Sequence, residues 1–156
     1  MQLTLYTDYS LRVLVYLALH PDRLAHITDI ADAYRISRNH LVKVVHNLGG
    51  LGFIDTVRGR GGGMRLARPP AEIKIGDVVR KTEVTLDLVE CFDMKTNTCP
   101  IAPACALKRG LFEARRAFFG VLDNYTLADV VHNPADLKML LQPPGSAQPV
   151  RAKRRK

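Results

Sequence analysis

Between residues 8 and 67 the apolar positions recur at helical spacing in three stretches, then switch to short strand-like runs around a glycine-rich turn. Few folds accept that order. In DYSLRVLVYLALH, residues 8–20, Leu11, Leu14, Val15 and Ala18 make one apolar face, with Thr7 as the expected N-cap and His20-Pro21 as the stop. Thr28 reads as the cap of a second, short helix carrying Ile30, Ala31 and Tyr34. After a turn of two or three residues, Ser37 caps a third helix, RNHLVKVVHNLG, whose Leu41, Val44, Val45 and Leu48 face inward and which ends at Gly49-Gly50. Phe53–Val57 and Met64–Ala67 read as strands flanking RGRGGG, and Pro69-Pro70 closes the unit. Helix, helix, turn, helix, hairpin is the order of a winged helix-turn-helix, assigned here to residues 1–70 in a mainly α protein.

Residues 71–141 follow a different plan. IGDVVRKTE is one short helix, and a variable segment leads into a cysteine-bearing loop. The longest helical pattern comes next, over Ala104–Asn124, where Leu107, Leu111, Ala114, Phe118, Val121 and Tyr125 recur as a seam suited to another helix. Thr126 and Asp129 have the spacing of a capping box for TLADVVH. Residues 142–156 read as a disordered basic tail.

The formal charge of +8 is unevenly spread. Residues 1–68 carry nine basic and five acidic side chains, residues 69–150 nine and ten, and the last six residues five basic and none acidic. A basic module beside a near-neutral middle is the pattern expected of a nucleic-acid-binding protein. Asp8 and Arg12 interrupt any apolar export segment, and no apolar run approaches the length of a membrane span, so a reducing cytoplasm is the expected compartment.

Two features point to DNA. On the third helix, Asn39, Lys43, His46 and Asn47 lie opposite the apolar stripe, with Ser37 and Arg38 at its start, and such a face can reach base edges and phosphates from the major groove. Thr28, at the start of the preceding helix, joins this set. The wing sequence VRGRGGGMR sets Arg58, Arg60 and Arg65 among four glycines, which allow close backbone approach while the arginines offer forked donors to phosphate or a narrow minor groove. A phosphate-binding P-loop is excluded, because no Lys-Ser/Thr follows and the next segment is strand-like.

The chain has only three cysteines, Cys91, Cys99 and Cys105, spaced C-x7-C-x5-C on one polar loop. An odd, clustered set does not make a disulfide framework, whereas clustered thiolates suit a soft metal or an iron–sulfur cluster and leave one position to be filled from elsewhere. Thiol catalysis would need a nearby base, but all five histidines lie far off in sequence, so the chain reads as a non-enzyme. Arg12 lies one helical turn after Asp8 and can pair with it or offset negative charge nearby.

MQLTLYTDYSLRVLVYLA, SRNHLVKVVHNLGGLGFI, VRGRGGGMRLARPPAEIKIGDVVR, the three cysteines and LDNYTLADVV together resemble the NsrR-type nitric-oxide-sensitive repressors. These belong to a family of dimeric winged-helix regulators that also contains the iron–sulfur regulator IscR. The resemblance covers residues 1 to about 141. It implies a homodimer joined by the long helix, palindromic operator DNA as partner and nitric oxide as signal. It also implies an iron–sulfur cluster, 4Fe–4S ahead of 2Fe–2S, on Cys91, Cys99 and Cys105, with the partner subunit's Asp8 as fourth ligand and Arg12 behind it.

Two departures stand out. Lys108 occupies the position at which IscR-like relatives carry a ligand histidine. The Cys91–Cys99 interval is also longer than family members usually have, which makes Glu90 and Asp93 substitutes to weigh against Cys91. An iron–sulfur-status or redox sensor of the IscR sort is the second reading, and a zinc-stabilised or thiol-redox protein without DNA function is the third.

Overall fold

Thr4, rather than Thr7, caps the first helix. In the computed structural model, which describes residues 2–142, the Thr7 N–H donates to Thr4 Oγ1 at 3.2 Å, so α1 spans Leu5–Leu19 and Asp8 lies in its first turn. Thr4 is itself held by Glu83, whose Oε1 accepts from its backbone N–H at 2.8 Å and from its hydroxyl at 3.1 Å. The second helix, α2, spans Ile27–Tyr34, and its cap is His26 in a capping box closed by Asp29. Thr28 is therefore inside the first turn and half-buried, not the cap. Arg35 takes a left-handed conformation at the end of α2, with φ 56°, and makes the turn into α3, Arg38–Gly50. Ser37 is the N-cap of α3 by position, without a side-chain capping bond.

The wing is a two-stranded antiparallel hairpin, β1 (Ile54–Val57) against β2 (Gly63–Leu66), in a register that pairs Asp55 with Arg65. Ala25 adds a bridge on the far side of β2, exchanging backbone hydrogen bonds with Met64 at 2.8 and 3.0 Å. Gly59 and Gly61 have φ of 99° and 76°, which L side chains rarely adopt, and a Cβ on Gly62 would collide with the Val57 carbonyl. The glycines are what let the turn close.

The core does not stop at Pro70. Leu14, Leu41, Leu48 and Phe53 share one cluster with Ile73, Val78 and Val79 of the segment containing α4 (Ile75–Thr82) and with Leu127 of α6 (Leu127–Val130). Each fully buried Leu, Ile, Val or Phe contributes about 1.5–3 kcal/mol, so these later elements are part of what holds the helix-turn-helix together. The long helix, α5, spans Ala106–Leu122 and buries none of its residues in the single chain. A seventh helix, Pro134–Leu140, begins at the proline after Asn133. No helix among the described residues is long and apolar enough to cross a membrane. The tail assigned to residues 142–156 lies outside the described residues but for Gln142.

Candidate functional site

The α3 surface divides as its spacing suggests, with one exception. Ser37, Arg38, Asn39, Lys43 and His46 are exposed, whereas Leu41, Val44, Val45 and Leu48 are buried. Asn47 is half-buried and lines a small cavity with Tyr6, Lys81 and Glu83, on the α1 and α4 side of the helix. Burial raises the Tyr6 phenol above its ordinary pKa, with the neighbouring Asn47 amide opposing it. Arg58 and Arg60 are exposed in the wing turn, while Arg65 stands on β2 opposite Asp55 at 3.9 Å, a surface pair of little energetic weight. Arg35 and His40 are exposed beside this set and had no distinguishing sequence signal.

His40 connects α3 to α1. Its ring stacks on Tyr9 with centroids 6.1 Å apart, and the Arg12 guanidinium lies 5.7 Å from the Tyr9 ring and 5.8 Å from the Tyr34 ring. Arg12 also grips Asp8 through Nη2 at 2.8 Å and Nε at 3.1 Å. Burial pushes the Tyr34 phenol up to about 12, the Arg12 charge opposing, so this tyrosine stays neutral beside the ion pair.

The cysteine loop is ordered by polar clamps. The three cysteines are free and half-buried. Cys105 is the N-cap of α5, and its sulfur accepts from the Lys108 N–H at 3.4 Å, so it sits at the helix end that favours negative charge. An open groove of about 660 Å3 beside it is lined by Lys108, Arg109 and Arg116, with Glu113 as the one acid. Glu90 Oε1 accepts from the Thr98 N–H at 2.6 Å and from its hydroxyl at 2.7 Å, which joins the residue before Cys91 to the residue before Cys99. Asp93 accepts from the Lys95 N–H and the Thr96 hydroxyl, both at 2.9 Å. These bonds hold both carboxyls below their ordinary pKa values. Both carboxylates are thus engaged within the loop of the cluster-free chain.

Among the described residues, no three His, Cys, Asp or Glu side chains converge so as to hold one metal ion. Thiolates on a cluster bind different iron atoms and stand farther apart than the ligands of a single ion. Three thiols on one loop, one at a positive helix end among cations, fit an anionic cluster by donor chemistry.

At its C-terminal end α5 is bolted to α4, whose Val78 and Val79 share the core of the helix-turn-helix. Arg80 of α4 forms a two-pronged pair with Asp123 at 2.6 and 2.7 Å while its guanidinium lies 4.5 Å from the Phe119 ring. Backbone bonds from Ile75 N to Tyr125 O and from Leu127 N to Ile73 O, at 2.9 and 2.8 Å, complete the joint.

A helix-turn-helix with an exposed cationic helix face and an arginine wing, fused to a thiol-bearing loop and a long apolar helix, defines a winged-helix DNA-binding regulator. Comparison makes the class specific. The Rrf2 family, described as iron-dependent transcriptional regulators, matches residues 3–133, and the chain belongs to it. The HTH-type transcriptional regulator NsrR of Shouchella clausii is 58% identical over 143 residues, covering 91% of this chain and 96% of that one. NsrR of Bacillus subtilis is 54% identical over 143 residues, covering 91% and 98%. Among structures, T. potens IscR superposes with a TM-score of 0.69 at 25% identity, covering 89% of this chain and 92% of that one. CymR, the global cysteine regulator of B. subtilis, gives 0.68 at 28%, covering 85% and 97%. The chain is a transcriptional regulator and not an enzyme.

Proposed function

We propose that this protein is a homodimeric transcriptional repressor whose grip on palindromic operator DNA depends on an iron–sulfur cluster and is lost to nitric oxide. The observation that carries the reading is continuity. Cys105 caps the helix whose far end is clasped by Arg80 to the DNA-binding module, so the ligand loop and the recognition helix belong to one connected frame. Relatives named NsrR, at 54–58% identity, support the same reading.

In this reading Cys91, Cys99 and Cys105 hold the cluster, 4Fe–4S ahead of 2Fe–2S, with the partner subunit's Asp8 as fourth ligand. When bound, the cluster supplies iron, for which nitric oxide competes with the protein's own donors. Asp8 is the weakest donor of the set, and Arg12 waits one turn along its helix to receive the freed carboxylate. Arg12 packs on Tyr9, and Tyr9 on His40, so a change at Asp8 is passed to α3. Leu107 and Val121 stay 70 and 58% exposed along one face of α5, an apolar surface that a second copy would cover. Pairing through α5 would set two recognition helices about 34 Å apart or a multiple of it. Coupling of ordinary size, about 1–3 kcal/mol, would change DNA affinity roughly 5–150-fold.

The experiment is metal and sulfide analysis of anaerobically isolated protein. Brown protein with iron and acid-labile sulfide supports the reading, and colourless protein with zinc alone overturns it.

A further inference from the structure

One side chain joins the two ends of the cysteine loop. Arg115, at the middle of α5, has its guanidinium 4.6 Å from the Phe92 ring and 4.9 Å from the Phe112 ring, and the two rings meet edge to face at 5.9 Å. The same guanidinium donates to the Leu86 carbonyl at 3.2 Å and to the Asp87 carboxylate at 2.8 Å. Phe92 directly follows Cys91, and Phe112 stands two helical turns below Cys105. The arginine side chain is only 23% exposed, so the pair with Asp87 is partly shielded from water.

We propose that Arg115 is a positioning residue for the cluster ligands, fixing the Cys91 end of the loop against the helix that begins at Cys105. The sequence makes the need for such a tether plain. Fourteen positions separate Cys91 from Cys105, through a stretch whose only regular structure is short 3-10 turns. The Glu90–Thr98 clamp draws Cys91 toward Cys99 but does not tie either to α5. Arg115 supplies that tie, and it needs an arginine: the planar guanidinium stacks against two rings while its edge donates to two acceptors, which a lysine cannot do at once. Outer residues that orient ligands typically change metal affinity when removed, by about 10–100-fold.

The proposal rests on the cluster reading for its purpose but not for its geometry, and the test separates the two. In cluster-free full-length protein carrying Cys99→Ser, the rate at which a short bismaleimide bridges Cys91 and Cys105 within one chain is measured by peptide mass spectrometry. In parallel, iron, sulfide and visible absorbance are measured after anaerobic reconstitution of the native-cysteine protein. Arg115→Ala should slow bridging and lower cluster retention by about tenfold or more, with Arg115→Lys recovering part of each. Asp87→Asn, which removes the negative charge without emptying the space, should act in the same direction more weakly, and it carries the test if Arg115→Ala does not fold. Bridging at the native rate in all three variants overturns the proposal. Slowed bridging in a protein whose native form takes up neither iron nor sulfide would sink the cluster reading and leave the positioning role standing.

Discussion

Asp8 and Arg12 face each other one turn apart on α1, joined through two nitrogen–oxygen contacts of 2.8 and 3.1 Å. The pair is far from idle solvent decoration, because Arg12 lies between Tyr9 and Tyr34, and Tyr9 stacks on His40 of the recognition helix. The carboxylate proposed to leave its own chain for a partner's cluster therefore has a defined place to go when released. With both side chains about 40% exposed, the pair itself contributes only about 0.2–1 kcal/mol to folding. Asp8→Ala should leave the urea midpoint of cluster-free protein almost unchanged while altering the visible spectrum of the loaded protein and its response to nitric oxide. An unaltered spectrum and response would remove Asp8 from the ligand set.

On the proposed reading, the exposed cations make two kinds of contact. Lys43 is on the open face of α3, and its replacement by alanine should cost about 1–3 kcal/mol at the preferred operator if it meets a base edge. Arg60 is in the wing turn, so Arg60→Ala should weaken binding to all sequences alike and reduce the salt slope of log K by about 1. Titrations of labelled operator and scrambled duplex at several salt concentrations distinguish the two. Neither change should bleach the protein, and loss of colour would mean that the DNA and cluster functions have been misplaced.

The Arg80–Asp123 clasp should be visible in the pH dependence of stability. Its hydrogen bonds hold the Asp123 carboxyl below its ordinary value of 3.8. A carboxyl with a lowered folded pKa stabilises above its unfolded value and loses that contribution as pH falls through the folded one. Asp123→Asn should therefore lower the urea midpoint at neutral pH, and the gap from the native protein should close as pH drops below 3.8. Gly76→Ala should resemble it at neutral pH, since a Cβ there would run into the Asp123 carboxylate, despite alanine's helical advantage of about 1 kcal/mol. A gap that persists unchanged into acid would show that Asp123 acts by packing rather than charge.

The wing turn gives a prediction about shape. Gly61 sits at φ 76° and Gly62 has its Cβ position blocked by backbone, so alanine at either should distort the turn that carries Arg58 and Arg60. DNA affinity should fall at either position, with a small midpoint loss at exposed Gly61 and a larger one at Gly62, which is buried within the turn though outside the hydrophobic core.

What could be read from the sequence was local. The apolar spacing of Leu41, Val44, Val45 and Leu48 and the Thr126–Asp129 box each depend on neighbours within one or two turns, and both elements form where that spacing puts them. Caps were harder, because several residues compete. Thr4 wins over Thr7 with help from Glu83, and His26 over Thr28 with help from Asp29, the first of these a contact across half the chain. The seam of the long helix is split by tertiary structure: Leu111 and Phe118 turn toward their own chain beside Arg115, while Leu107 and Val121 remain exposed. Asn47 likewise looks polar-faced by spacing yet lies against Tyr6. Arg115, Phe92 and Asp87 carry no motif at all, since only folding brings residues so far apart in sequence to one place.

The central claim is that an inorganic centre governs the grip on DNA, and anaerobic operator titration of one preparation in three states tests it most directly. Cluster-loaded protein should bind roughly 5–150-fold tighter than the same protein stripped of iron, and nitric oxide should bring the loaded form down to the stripped one. Equal affinity in all three states would contradict the account.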